Sequence, residues 1–197
     1  MTLYYRLGSN LYVNVTNLCQ CDCVFCVRGR SQGVGDAESL WLPHEPTLEE
    51  LRQAFGARQD LDEVNEIVFC GYGEPLERAD LVVELSRHIR LGTKKPLRLN
   101  TNGLVGLINP GFDIGKLELF DTISVSLNAA TKEDYMEVTR PAFGEKSFDE
   151  MLGFAKTMSG YTKVQFTIVE TLPREQQEKC RMVAKGLNIP LIIRTLM

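Results

Sequence analysis

A chain of 197 residues with 44% hydrophobic and 24% charged residues has the length and balance of one globular domain, spanning 1–197 with a substantial core, and not of a disordered or fibrous protein. Its 22 Lys and Arg against 26 Asp and Glu leave a net charge of −4, which excludes the basic footprint of a general nucleic-acid binder while leaving room for a local basic patch. No stretch approaches the about eighteen apolar residues of a membrane span, the opening MTLYYRLGSN is too polar for a signal peptide, and six cysteines in such a chain point to the reducing cytoplasm and to metal or catalytic use before disulfides.

In chain order, the first strand is LYVNVT at 11–16, and a cysteine-rich loop follows it. Thr47-Leu-Glu-Glu50 matches a capping box and opens a helix over 47–58. Strand two is 66–70, followed by a helix over 78–91; strand three is 97–101, followed by a shorter helix over 111–119. Strand four is 122–128. Ser147-Phe-Asp-Glu150 gives a second capping box and a helix over 148–159. Strand five is 163–169, a helix over 174–187 starts after Pro173, and strand six is 190–195. Several strands are apolar on successive residues, as strands covered on both faces are. Alternating strands and helices imply parallel βαβ units with right-handed crossovers. Six units are fewer than the eight of a closed barrel, so an open doubly wound sheet and an incomplete (β/α)6 barrel both satisfy the pattern. Either places ligands at the carboxyl ends of the strands.

The chemistry-bearing motifs fall at those ends. The loop after strand one reads Cys19-Gln-Cys-Asp-Cys23-Val-Phe-Cys26 and contains Cys-x3-Cys-x2-Cys once, through Cys19, Cys23 and Cys26. A cubane iron–sulfur cluster is bound through cysteine thiolates, usually four, so three ligands leave one iron open to chelate a small molecule. Four cysteines within eight residues also suit a closed tetrahedral zinc site. Strand two ends in Cys70-Gly-Tyr-Gly-Glu-Pro75, where glycines admit a close backbone approach and Glu74 with nearby carbonyls can accept hydrogen bonds from a ligand ammonium group. Strand three ends in Asn100-Thr-Asn-Gly103, whose Asn-Gly is a turn signal. In strand four, period two places Ser124, Ser126 and Asn128 on one face, which suits a ribose or carboxylate or, equally, a solvated sheet surface. Strand six ends at Arg194, a bidentate donor for a carboxylate or else a surface arginine.

Taken together and in this order, the cysteine loop, Gly-Tyr-Gly-Glu-Pro, Asn-Thr-Asn-Gly and Ser-Val-Ser-Leu-Asn resemble the radical S-adenosylmethionine (radical SAM) superfamily. The resemblance runs over residues 19–128 by motif and over nearly the whole chain by strand count. It implies a partial (β/α)6 barrel of parallel strands without an accessory domain. It also implies a 4Fe–4S cluster on Cys19, Cys23 and Cys26, with Phe25 beside the adenine of S-adenosylmethionine. The Gly71-Tyr72-Gly73-Glu74 stretch corresponds to the superfamily's Gly-Gly-Glu-Pro motif, which binds the methionine amino group. Tyr72 replaces its first glycine; the backbone role depends mainly on carbonyls. Asn100 and Asn102 line the floor near the methionine carboxylate, and Ser126 and Asn128 match the ribose motif. The implied chemistry is reductive cleavage of S-adenosylmethionine to methionine and a 5′-deoxyadenosyl radical that abstracts hydrogen from a substrate. A low-potential donor such as flavodoxin or ferredoxin would supply the electron. Leu40-Trp-Leu42 and the Asn17-Leu-Cys…Cys-Val-Phe-Cys26 segment look most like the TatD-linked members, which implies a functional link to a TatD-type nuclease.

Alternatives stay open at this level. A zinc-binding or electron-carrier module would need only the cysteines. Within the superfamily, short 7-carboxy-7-deazaguanine synthases and glycyl-radical-enzyme activases are the competing types. Cys21 reads as a spectator, Cys70 as a small buried residue and Cys180 as core or surface. His44 and His88 belong to no ligand set. Arg28 serves as a ligand anchor or a turn cap. Tyr135 and Arg140 are further substrate-site candidates, and the long 29–46 segment is expected to cover or flank the substrate mouth.

Overall fold

The computed structural model describes residues 1–195 and arranges seven strands in one sheet, in the order in which the chain meets them. They are β1 (Tyr4–Leu7), β2 (Asn10–Val13), β3 (Ile67–Phe69), β4 (Leu97–Thr101), β5 (Thr122–Ser126), β6 (Lys163–Val169) and β7 (Leu191–Arg194). From β2 to β7 every neighbouring pair is parallel. A doubly wound sheet reverses its order at a switch point; this one never does, so its six parallel strands wind in one sense, as in an incomplete barrel. The pattern of six expected strands omits β1, which pairs antiparallel with β2 through the two-residue turn Gly8-Ser9, with Gly8 at φ 59°. Tyr-Tyr-Arg-Leu is too short to declare itself as a strand by alternation.

The helices are α1 (Leu48–Gly56), α2 (Ala79–Gly92), a short α3 (Val105–Ile108), α4 (Lys132–Thr139), α5 (Lys146–Met158) and α6 (Arg174–Gly186). The span expected as a helix over 111–119 is a 3-10 stretch, Ile114–Leu119, capped by Asp113. β4 shows how the sheet divides its faces. Leu97 and Leu99 are fully buried in one cluster with Leu85 and Ile89 of α2 and Met151 of α5, whereas Arg98 and Asn100 between them face the other side and are half-buried. Strands apolar on both faces are thus only part of the picture: this strand alternates, and its polar face is where the site is built.

The two capping boxes part company. Thr47 accepts from the Glu50 N–H while the Glu50 carboxylate accepts from the Thr47 N–H, which fixes the start of α1. At α5 the box does not form. The turn through Pro141–Gly144 leads directly into the helix, Glu145 takes the cap position, and Ser147 lies inside the first turn. Glu150 instead accepts from the Gly106 N–H at 3.1 Å, tying α5 to α3. The Ser147 hydroxyl is left fully buried without a partner. Ser147→Ala should therefore leave stability unchanged or raise it by up to about 1 kcal/mol, whereas a capping role would make it cost about that much. Urea unfolding of the two proteins decides the sign.

The 29–46 segment does not cover the cavity at the strand ends, the first of its two expected placements, and only its start, Gly29 and Arg30, lies beside Cys23 and Cys26, the second. It packs beside the β1 edge: Asp36 exchanges hydrogen bonds with Arg6, the Asn14 amide donates to Leu40, and the Tyr72 hydroxyl donates to Ser31. Leu40 is buried with Tyr5 and Tyr72 in a small separate cluster. Gly35 makes the close approach: at φ 65° a Cβ there would stand 2.0 Å from the Arg6 carbonyl oxygen of β1, a strand the sequence pattern does not reveal.

Candidate active site

The cysteine loop leaves the carboxyl end of β2 and is held at both ends by backbone. Before Cys19, the N–H groups of Gly73 and Glu74 donate to the carbonyls of Thr16 (3.0 Å) and Leu18 (2.7 Å). A Cβ at Gly73 would stand 2.4 Å from one of these oxygens and 2.5 Å from the other, so glycine is required for the approach. Beyond Cys19, Asp22 and Val24 donate to Thr139 and Val138, carbonyls at the end of α4, and Ala142 donates to Gln20. These are the carbonyls that a helix terminus leaves without an intrahelical partner. α4 thus positions the cysteines, yet its sequence, KEDYMEVT, offers too few apolar residues for a helical period to stand out.

Glu74 is 4% exposed. Its Oε1 accepts from the Leu76 N–H (3.0 Å) and the Thr101 hydroxyl (2.6 Å), and its Oε2 accepts from the Asn102 N–H (2.7 Å). The carboxylate expected to meet a ligand amine is occupied by the chain's own donors, and it locks the end of β3 to the end of β4. Burial raises its pKa from 4.5 to about 8 against the opposing pull of these three bonds, and the Cys19 thiolate adds to the rise. Thr101 was not legible as a partner, because period two assigns it to the helix-covered face.

β5 stops at Ser126, two residues short of expectation, because Asn128 takes a left-handed backbone (φ 56°). Ser124 lies deeper, where it accepts from Gln165 at 2.8 Å. Asn128 is 4% exposed and its Oδ1 has no partner; the Nε of Arg194 at the end of β7 is likewise buried and unpartnered.

These elements enclose a cavity of about 200 Å³ at the carboxyl ends of the parallel strands. Cys19, Cys23, Cys26 and Phe25 form one wall, Gly71, Gly73 and Glu74 a second, and Asn100, Asn102, Ser126, Asn128 and Arg194 the rest. Of the residues matched to the cluster and S-adenosylmethionine motifs, only Tyr72 lies outside: it turns away to pack edge-on against Trp41 at 5.1 Å, while the further candidates Arg28 and Arg140 border a separate hollow and do not line this cavity. Cys21, Cys70, Tyr135 and Thr139 also line the cavity. The thiol hydrogen bond from Cys21 lowers the pKa of Cys19 and raises that of Cys21, and burial raises that of Cys26. The Asn102 amide reaches the Cys21 sulfur at 3.7 Å. Among the described residues, no three Cys, His, Asp or Glu side chains converge on a single metal-ion position. The donor set nonetheless fits a thiolate-bound cluster with a polar organic ligand: three thiols line the same cavity as a buried acceptor and a buried donor, on Asn128 and Arg194, that the protein itself does not satisfy.

The family model described as the Radical SAM superfamily matches residues 13–189. Over 182 residues the chain is 25% identical to a probable dual-specificity RNA methyltransferase RlmN of Clostridium acetobutylicum, covering 89% of this chain and 49% of that protein. Over 137 residues it is 34% identical to the GTP 3′,8-cyclase of Nitrobacter winogradskyi, covering 67% of this chain and 36% of the cyclase. The chain spans about half the length of such curated relatives. Among solved structures, native anSMEcpe with bound AdoMet superposes with a TM-score of 0.63 at 19% identity, covering 94% of this chain and 51% of the other, a likeness of fold.

Proposed function

The chain belongs to the radical SAM superfamily, and on that premise we propose that it is a radical SAM enzyme whose cluster is held by Cys19, Cys23 and Cys26. Members of this family use a 4Fe–4S cluster and S-adenosylmethionine. When bound, the reduced cluster supplies the electron that cleaves S-adenosylmethionine to methionine and a 5′-deoxyadenosyl radical, which abstracts hydrogen from the substrate. The supporting observation is the cavity at the strand ends, whose lining brings the three cysteines together with Asn128 and Arg194, each carrying a buried polar atom without a partner.

The chain's own residues bind and orient. Asn128 Oδ1 accepts from a ribose hydroxyl, with Ser126 beside it. The Arg194 guanidinium meets a carboxylate. Phe25 packs on the adenine. Glu74 acts through Asn102 and the turn it caps, and so is a positioning residue. Gly71 and Gly73 bring backbone toward the methionine amine. No helix among the described residues is long and apolar enough to cross a membrane, and six unpaired cysteines suit the reducing cytoplasm. A low-potential electron donor is the required partner.

Within the superfamily we assign the chain to the TatD-linked group. The two segments that carry that resemblance are joined here: the Asn17 side chain both donates to the Leu42 carbonyl (2.7 Å) and accepts from its N–H (3.0 Å). Turnover of GTP, the substrate in the names of three relatives, would overturn this finer assignment.

Anaerobic reconstitution with iron and sulfide, reduction with dithionite and addition of S-adenosylmethionine test the class. A reduced-cluster paramagnetic signal that shifts on adding S-adenosylmethionine, with 5′-deoxyadenosine formed, is the expected outcome. A protein that takes up zinc and assembles no cluster would make the cysteine loop structural.

A further inference from the structure

Cys23 and Cys26 line not one hollow but two. Besides the main cavity they border a second depression of about 270 Å³, lined by Asp22, Val24, Arg28, Gly29, Arg30 and Arg140. Three arginines around one aspartate make it basic, on a chain whose net charge is −4. Asp22 does not neutralise them tightly. It is 74% exposed, and its ion pairs with Arg28 and Arg140 are long, 4.0 and 3.9 Å. Arg28 and Arg30 each donate one bond to a loop carbonyl, of Cys21 at 3.2 Å and of Val24 at 3.4 Å, which aims them; Arg28 is largely covered, whereas Arg30 and Arg140 are exposed and keep N–H donors for a partner. Val24 adds an apolar spot, 47% exposed. The position of Arg140 is itself unusual: it ends α4 in the left-handed region, φ 45°, which costs a non-glycine residue free energy.

We propose that this basic hollow is the docking surface for an acidic, flavodoxin-type electron-carrier protein, which reduces the cluster through the hollow that Cys23 and Cys26 share with the main cavity. The inference rests on the radical SAM reading above. The main cavity is needed for S-adenosylmethionine and substrate, so the electron must come from elsewhere, and the second hollow shares two of the three thiol ligands. Over a surface of net negative charge an acidic carrier is repelled generally and attracted here, which steers it to the cluster. Carrier encounters of this kind are small and transient, and a shallow charged hollow suffices for one. In the transfer, the carrier's anionic flavin hydroquinone loses one electron to become the neutral semiquinone, and the cluster gains that electron; no proton moves.

The test uses the cluster-loaded chain, a bacterial flavodoxin as acidic probe and basic cytochrome c as mismatched control. Arg30→Glu combined with Arg140→Asp reverses the patch; Asp tolerates the left-handed backbone at that position. Flavodoxin affinity should fall at least about tenfold in the variant. In the native protein it should weaken steeply as salt passes about 0.1 M, where the screening length is about 10 Å. This second measurement needs no variant. Formation of 5′-deoxyadenosine with dithionite should be unchanged in the variant, while flavodoxin-driven formation falls. Equal flavodoxin affinity in both proteins, tighter binding of cytochrome c, or loss in the variant only of binding to an RNA oligonucleotide would overturn the inference. Failure of the native protein with dithionite would overturn the functional reading itself, a distinct result.

Discussion

Cys23→Ala protein is expected to assemble no 4Fe–4S cluster and to form no detectable 5′-deoxyadenosine, while remaining folded. In the proposed reading the thiolates of Cys19, Cys23 and Cys26 are the cluster's only protein ligands, and removing one of three would leave two irons without protein anchors. The fold does not depend on the thiol. The loop is held by backbone bonds from Gly73 and Glu74 on one side and to Val138 and Thr139 on the other, and none of these uses the Cys23 side chain. Circular dichroism should match the native protein. The contrast that gives the experiment its force is Cys21→Ala. Cys21 is 5% exposed, its backbone is bridged to Pro141, and its sulfur receives the Asn102 amide. Its loss should cost about 1 kcal/mol of packing yet leave iron and sulfide content intact. If instead Cys21→Ala loses metal as completely as Cys23→Ala, all four cysteines are ligands and a closed zinc site becomes the better account.

Much of this site was legible because it is carried by short motifs at strand ends, and parallel βαβ order brings strand ends together without any knowledge of side-chain contacts. Three cysteines, two glycines, Asn100, Asn102, Ser126, Asn128 and Arg194 reach one cavity for that reason. What was not legible depends on contacts distant in sequence. β1 exists because β2 offers it an edge, and Tyr4 to Leu7 carry no pattern of their own. Tyr72 sits within the right motif, but Trp41 and Ser31 hold it outside the cavity. α4 has a weak period and yet anchors the cysteine loop. Ser147 has the spacing of a capping residue, and it fails because the preceding turn starts the helix earlier. In each case tertiary context overrode a local signal.

The same distinction governs what Glu74→Gln should do. A residue whose carboxylate met the methionine amine directly would lose affinity for S-adenosylmethionine on this change but keep its stability. The hydrogen bonds here predict otherwise. Leu76 N–H points to one carboxylate oxygen and Asn102 N–H to the other. Either orientation of the glutamine amide therefore turns its NH2 toward a buried backbone N–H and leaves that donor unsatisfied. The cost should be about 2 kcal/mol or more, read as a lower urea midpoint. Because Asn102 and the turn after β3 lose their shared anchor, affinity for S-adenosylmethionine should fall roughly tenfold as well. A second readout separates this from mere damage. With its pKa raised from 4.5 to about 8, Glu74 binds its proton more tightly in the folded protein, so the cluster-free native chain should lose stability as pH rises through that interval. Glutamine cannot titrate, and the variant's stability should lack that slope. A variant of native stability and unchanged pH dependence that still fails to bind S-adenosylmethionine would return Glu74 to the ligand's first contacts and remove it from the framework that places Asn102.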